Sequence, residues 1–298
     1  YTIIHKIPLT INRYPDSVSL INKENGGHGS AINAGSEAAR GKYMKVLDAD
    51  DWFNTESIPE FLDIISGASA DVVLTCHHTI NISTGEIKNW RCFPDEPGRE
   101  YTMEEVMGNW KNFDRSLTFH GITYRTEFYR EHGVKLAENV FYEDHEYATY
   151  PCCVAHTILP LGLFIYEYRI GDVSQSVSAE NQLKRIDHTK MVIVKMLKNR
   201  VDITDQWALE YCDKKIHLLL LSFMVTSMLC DPDRKKGVAR VDQLMGYIAK
   251  KDRHVVEMTM SHYKILKLLN AAHVGLEGYN RMLNSKLYNK LRHNKSFD

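Results

Sequence analysis

Nothing in this chain's cysteines, apolar runs or overall charge points to an oxidising compartment, a membrane span or a nucleic-acid partner. Its six cysteines, at positions 76, 92, 152, 153, 212 and 230, show no C-x-x-C spacing, and the one close pair is adjacent in sequence. That pattern supports neither a zinc knuckle nor a disulfide framework; it fits reduced core thiols in a cytoplasmic protein. Long apolar runs are missing too. The longest, Leu218 to Leu229, is interrupted by Ser222, Thr226 and Ser227 and falls short of the roughly 20 residues that a bilayer span needs, so it is expected to be a buried helix. Net charge is also near zero, with 37 Lys and Arg against 38 Asp and Glu. No global field draws the chain to nucleic acid, and a charged partner has to be met by a local patch. One such patch lies in the tail, where basic residues from Lys250 to Lys295 outnumber Asp252, Glu257, Glu277 and Asp298. Peripheral contact with anionic lipid through basic C-terminal helices is one use for it; a solvated helix face is the commoner one. The composition leaves oligomeric state open. No signal peptide is recognisable, and the chain opens at Tyr1 without an initiator Met or a first strand and helix, so an N-terminal portion is expected to precede it.

What the chain does have is 298 residues with a 44% hydrophobic share, enough for one large domain or two ordinary ones. Strand and helix signals alternate through the first half. Ser17 to Ile21 reads as a short strand, Asn22 to Gly29 as a polar glycine-rich turn, and Ser30 to Arg40 as a helix of small residues closed by Gly41. Lys42 to Leu47 follows as a strand, Glu56 to Ser66 as a helix and Asp71 to Thr75 as a strand. This order predicts an α/β fold whose mostly parallel central sheet is flanked by helices. Further on, a hairpin is expected to turn at Thr84-Gly85, and Thr102-Met-Glu-Glu105 reads as a capping box. Leu117 to Tyr124 reads as a strand and Arg125 to His132 as a helix ended by Gly133. Thr157 to Arg169 reads as a strand interrupted at Pro160 and Gly162. From about Ala179 only helical periodicity remains. The expected division is a sheet domain over 1–179 and an all-helical C-terminal domain over 180–298.

Two acidic nodes stand out. Lys45-Val46-Leu47 runs directly into Asp48, Asp50 and Asp51, and Tyr142 is followed by Glu143 and Asp144. Three carboxylates at one strand end repel one another unless a cation sits among them, so Asp48, Asp50 and Asp51 suggest a site for Mn²⁺ or Mg²⁺. Taken singly, the first node is also what an acidic turn looks like, and the second what a helix N-terminus looks like. One chemistry uses both: sugar transfer from a nucleotide diphosphate needs a metal beside the leaving group and a separate carboxylate to take the acceptor's proton.

The blocks Asn25-Gly-Gly-His-Gly-Ser-Ala-Ile-Asn33-Ala-Gly35, Arg40-Gly41-Lys42-Tyr43, Leu47-Asp-Ala-Asp-Asp-Trp52 and Tyr142-Glu-Asp-His-Glu-Tyr147, with Tyr168-Arg169 and Gln175-Ser176, resemble the family 2 glycosyltransferases of the GT-A fold. The resemblance covers roughly residues 14 to 178. It implies a Rossmann-like, inverting enzyme of the bacterial cell-surface polysaccharide type, with a nucleotide-diphosphate sugar as donor and a glycan or lipid-linked acceptor. It also implies work in the cytoplasm or at the inner face of the membrane. Asp50 then resembles the metal ligand, Asp48 the residue nearest the donor ribose and metal, and Asp51 a supporting acid. Asp144 resembles the general base and Glu143 its partner. Asn25, Gly27 and Asn33 would line the donor pocket, and Arg169 with Gln175 would grip the diphosphate. The family's first strand and helix and its base-reading Asp have no counterpart in residues 1 to 16, so part of the donor pocket is expected to be missing.

Two other readings compete. Gly27-x-Gly29 with Asp48 about 20 residues on has the spacing of an NAD-dependent oxidoreductase, but Ile32 replaces the third glycine, and one ribose-binding acid leaves Asp50 and Asp51 unexplained. A non-catalytic sugar-nucleotide fold acting as a scaffold is the other. Neither His28, His77, His78, His120 nor His145 shows a zinc spacing, though His120 or His145 remains a candidate to meet an acceptor. Trp52, Trp90 and Cys152-Cys153 read as packing residues.

Overall fold

The computed structural model describes residues 12–92, 94–96, 98–171 and 179–285. Its centre is β3 (Val72–Asn81), whose first residues Val72, Val73 and Leu74 are wholly buried, as a strand covered on both faces must be. β6 (Ile158–Ile170) lies parallel beside it from Val72↔Ile158 to Asn81↔Ile170. On the other side β5 (Ile122–Arg125) runs antiparallel, and β1 (Tyr43–Met44) pairs with β5. β2 (Trp52–Phe53) closes the far edge against β6, and β4 (Ile87–Trp90) returns on β3 through a turn in which Gly85 takes a φ of +73°. The sheet order is β1-β5-β3-β6-β2.

The α/β architecture with a helical C-terminal region is as expected, but the sheet is mixed. Among the described residues only β3 and β6 pair in parallel, because β4 and β5 are returning strands and not crossover partners. Ser17 to Ile21 is not a strand: it is turn and irregular chain, with Leu20 and Ile21 exposed and, among the described residues, no strand paired with it. Proline and glycine do not break β6. Register slips from Leu74↔Pro160 to Cys76↔Phe164, so the residues around Gly162 are absorbed as a bulge where Pro160 has no N–H to donate.

One face of the sheet packs α2 (Ile58–Gly67) through Phe61 onto Ala70, Val73, Leu159, Leu161 and Ile165. The other face carries α1 (Gly27–Ala38), α3 (Met103–Gly108), α4 (Trp110–Phe113), α5 (Thr126–His132), α6 (Asp144–Tyr147) and α7 (Tyr150–Val154). Thr102 and Glu105 form the expected capping box on α3. α1 ends two residues earlier than expected, and Gly41 does not cap it. Ala39 turns extended there, and Arg130 of α5 reaches the carbonyls of Ser36, Glu37 and Ala39, which suits a cation at a helix C-terminus.

The helices that follow are α8 (Ala179–Lys184), α9 (Ile186–Asn199), α10 (Gln206–Val225), α11 (Arg234–Ala249), α12 (Arg253–Ala271) and α13 (Leu276–Leu283). Asp205, Asp233 and Asp252 cap α10, α11 and α12. Their core is continuous with that of the sheet, running from Ile32 through Tyr124 and Tyr147 to Tyr211, Phe223 and Leu244. Buried polar groups lock this seam: Tyr211 Oη donates to Ala148 O at 2.5 Å, Tyr150 Oη to Met196 O at 2.6 Å and Lys215 Nζ to Leu117 O at 2.8 Å. Among the described residues no helix is long and apolar enough to cross a membrane.

Candidate active site

The chain leaves β1 into a tight turn, closed by a hydrogen bond from Asp51 N to Asp48 O at 3.1 Å. Asp48, Asp50 and Asp51 each offer an oxygen there, all within 4.8 Å of one another. β6 fixes this turn from below. Tyr166 Oη donates to Asp51 Oδ2 at 2.6 Å and accepts from Asp48 N at 3.2 Å, while Arg169 N donates to Asp51 Oδ1 at 2.8 Å. Burial pushes the Asp51 carboxyl up to about 6; the Tyr166 and Arg169 hydrogen bonds oppose this, and the charges of Asp50 and Asp48 add to it. Three crowded carboxylates, two of them half-buried and Asp50 exposed, form the hard oxygen set that Mg²⁺ or Mn²⁺ takes, so the residues present fit such an ion.

The second node is built by the loop before α6. Asn33 of α1 clamps it: its Nδ2 donates to Leu136 O at 3.1 Å and its Oδ1 accepts from Leu136 N at 2.9 Å. Buried Glu146 accepts from Ala137 N at 2.8 Å and from Lys195 Nζ of α9 at 2.9 Å. Gly29 permits the close approach, because a Cβ there would lie 2.4 Å from Ala137 O and 2.8 Å from Glu143 Cγ. The loop ends with Tyr142 at a φ of +73°, which delivers Glu143 into the interior at 2% exposure and Asp144 onto the first turn of α6.

His28 joins the two nodes. Its Nε2 lies 2.9 Å from Asp48 Oδ1 and its Nδ1 2.7 Å from Glu143 Oε1. Burial works to lower its pKa, yet the hydrogen bonds and charges of Asp48 and Glu143 outweigh that and raise it to about 10. Zinc spacing was the wrong test for this residue. The usable signal was its position at the start of α1, between the acids' two supports. A second link runs through His120, which stacks on Tyr168 at 4.1 Å. Burial lowers the His120 pKa to about 4, while the charges of Asp144 and Asp48 act to raise it, so both nodes lie within electrostatic reach of this ring. Beneath it Lys45 donates to His120 O at 2.7 Å and Ile122 O at 3.1 Å, and burial lowers its pKa to about 7.

The remaining expected residues are placed as follows. Asn25 Oδ1 accepts from Gly27 N at 3.0 Å and holds Gly27 at a φ of +80°. Arg169 lies beside the first node through its backbone; Gln175 lies outside the described residues. Trp90 packs, with Nε1 donating to Thr79 Oγ1 at 2.7 Å, whereas Trp52 is 42% exposed. Cys152 and Cys153 are buried in the core. Sequence reading missed Tyr166, Lys45 and the bridging role of His28.

Residues 6–132 match the domain described as Glycosyl transferase family 2. Over 94 residues the chain is 29% identical to the Uncharacterized glycosyltransferase RP339 of Rickettsia prowazekii (strain Madrid E), a stretch covering 31% of this chain and 28% of that protein. The match thus spans well under two thirds of that relative's length. Among solved structures, S. aureus TarS 1-349 in complex with UDP-GlcNAc is similar with a TM-score of 0.58 at 16% identity, covering 98% of this chain and 81% of that one. Its complex with UDP gives 0.57 at 16% identity, covering 98% and 80%. At such identity the likeness speaks for the fold. The match to the family 2 glycosyl transferase domain is thus confined to residues 6–132, while the likeness in fold extends over nearly the whole chain.

Proposed function

We propose that the chain is a metal-dependent, inverting glycosyltransferase that moves one sugar from a nucleotide diphosphate to a hydroxyl of a glycan or lipid-linked acceptor. The observation that carries this reading is the His28 bridge, with Asp48 at 2.9 Å on one side and Glu143 at 2.7 Å on the other: acids some hundred residues apart in sequence share one site. A divalent ion held by Asp48 and Asp50, with Asp51 in support, would neutralise charge on the leaving diphosphate. Asp144 takes the proton from the acceptor hydroxyl, and its neighbour Glu143, anchored by His28, orients that hydroxyl. A base standing apart from the leaving group is what inversion at the anomeric carbon requires. Tyr166 and the Arg169 backbone keep the aspartate turn in place, and Asn33 does the same for the loop carrying Asp144. Asn25 and Gly27 shape the donor pocket, with Arg169 and Gln175 assigned to the diphosphate. The UDP-GlcNAc and UDP complexes of TarS support a uridine nucleotide sugar as the first donor to try. Cell-envelope polysaccharide assembly on the cytoplasmic side, with peripheral membrane contact through the basic tail, completes the proposal.

The test is transfer from UDP-GlcNAc, UDP-glucose and UDP-galactose with Mn²⁺, comparing the wild-type protein with Asp144→Asn. Turnover is expected to fall by about 10²–10⁴-fold while donor affinity survives. Equal turnover in the variant rules out Asp144 as the base.

A further inference from the structure

A cavity of about 190 Å³ opens beside Asp144, and the helices that follow the sheet wall it. Tyr142, Asp144 and His145 form one side; α9 supplies Ile186 and Thr189, and α10 supplies Leu219, Ser222 and Phe223. Its chemistry is mixed in a particular way. Thr189, Ser222 and Thr226 bring hydroxyls and Gln182 an amide, the last two joined by a hydrogen bond from Thr226 Oγ1 to Gln182 Oε1 at 3.0 Å. Ile186, Leu219 and Phe223 bring apolar surface. Among the described residues that line it there is no Lys or Arg. Of the nearby cations, Lys195 donates to Glu146 and Arg185 sits 3.6 Å over the Phe141 ring, while Lys215 is buried off the lining, donating to Leu117 O with its charge in reach of Asp144 and His145. Burial also lowers the pKa of His145.

Resting on the glycosyltransferase reading, we infer that this cavity is the acceptor subsite, that α9 and α10 set its specificity, and that it takes an uncharged sugar ring and not a phosphodiester unit. A phosphodiester would bring negative charge beside the Asp144 carboxylate with no Lys or Arg among the described lining residues to pair with it directly. A neutral sugar meets no such repulsion. Its C–H face suits Ile186, Leu219 and Phe223, its hydroxyls suit Thr189 and Ser222, and the volume matches a single ring at the mouth of a pocket that combines apolar walls with a few polar groups. The transferred sugar leaves the diphosphate as the C–O bond to it breaks. The acceptor oxygen forms the new bond, and its proton goes to Asp144.

The experiment uses the full chain with Mn²⁺ and donor saturating. Octyl β-D-glucoside and octyl β-D-galactoside serve as neutral acceptors, and a glycerol phosphate oligomer as the anionic one. Ser222 is exposed on α10, so Ser222→Trp and Ser222→Lys are both expected to fold, which circular dichroism checks. The neutral glycosides are expected to be turned over and the phosphate oligomer not. Ser222→Trp should raise the KM for the glycosides about tenfold or more without moving the donor Kd, and Ser222→Lys should shift preference toward the anionic acceptor. Turnover confined to the phosphate oligomer, no turnover of either glycoside, or an unchanged KM in Ser222→Trp while donor still binds overturns this inference alone. Failure of every nucleotide sugar to bind overturns the underlying reading and this one with it.

Discussion

Replacing His28 by Ala removes the cation between two acids, and the size and pH dependence of the loss follow from its surroundings. Its pKa rises from 6.5 to about 10 in the folded protein, which at face value amounts to about 5 kcal/mol. The side chain is 40% exposed, however, and solvent screening reduces this to about 1–2 kcal/mol. The sign is that of a base whose folded pKa is raised: the folded state holds a proton that the unfolded chain has lost. The stabilisation is full below about pH 6.5, declines above it and is gone once pH has risen through about 10. Urea unfolding of metal-free wild-type protein and His28→Ala in EDTA should therefore show wild type ahead at about pH 6, with the gap closed by about pH 10.5. Truncation also leaves Glu143, only 2% exposed, facing Asp48 without compensation, so Glu143→Gln in the same background should recover part of the loss. A gap independent of pH, together with no recovery in the double variant, would refute the bridge.

Lys45 supplies the opposite slope. Burial lowers its pKa to about 7, so the folded state releases a proton that the unfolded chain keeps, and stability rises with pH through this window. Relative to wild type in the same buffers, Lys45→Met should lose about 2 kcal/mol of that rise between about pH 7 and pH 9, read from unfolding midpoints. Gly29→Ala puts a methyl 2.4 Å from Ala137 O and should cost about 1–3 kcal/mol, seen as a lower Tm; an unchanged Tm would mean that α1 and the Ala137 loop are not held together.

The parts of this protein that were legible in its sequence are those decided locally. Thr102 and Glu105 satisfy orphan helix donors within one turn, Gly85 permits a positive φ in a hairpin, and carboxylates crowded after an apolar strand announce themselves by charge. The acid block after β1 and the Glu143-Asp144 pair were readable for that reason. What escaped depends on partners far along the chain. Ser17 to Ile21 has the residues of a strand but pairs with no strand among the described residues, and nothing in its own pattern reports that. The antiparallel return of β4 and β5 is a property of the pairing, invisible in alternation alone. Tyr166 reaches Asp51 across 115 positions, and His28 reaches Glu143 across the same separation. Periodicity carries no information on such contacts. Nor did composition show that the helices after Ala179 wall the cavity beside Asp144.

The most direct test of the central claim is calorimetric titration of UDP-GlcNAc into the full chain, with Mn²⁺ and with EDTA, for wild type, Asp50→Asn and Asp144→Asn. Binding is expected to require the ion in wild type, to be lost in Asp50→Asn and to be retained in Asp144→Asn. Binding of equal strength in EDTA, or binding undiminished in Asp50→Asn, would contradict that claim.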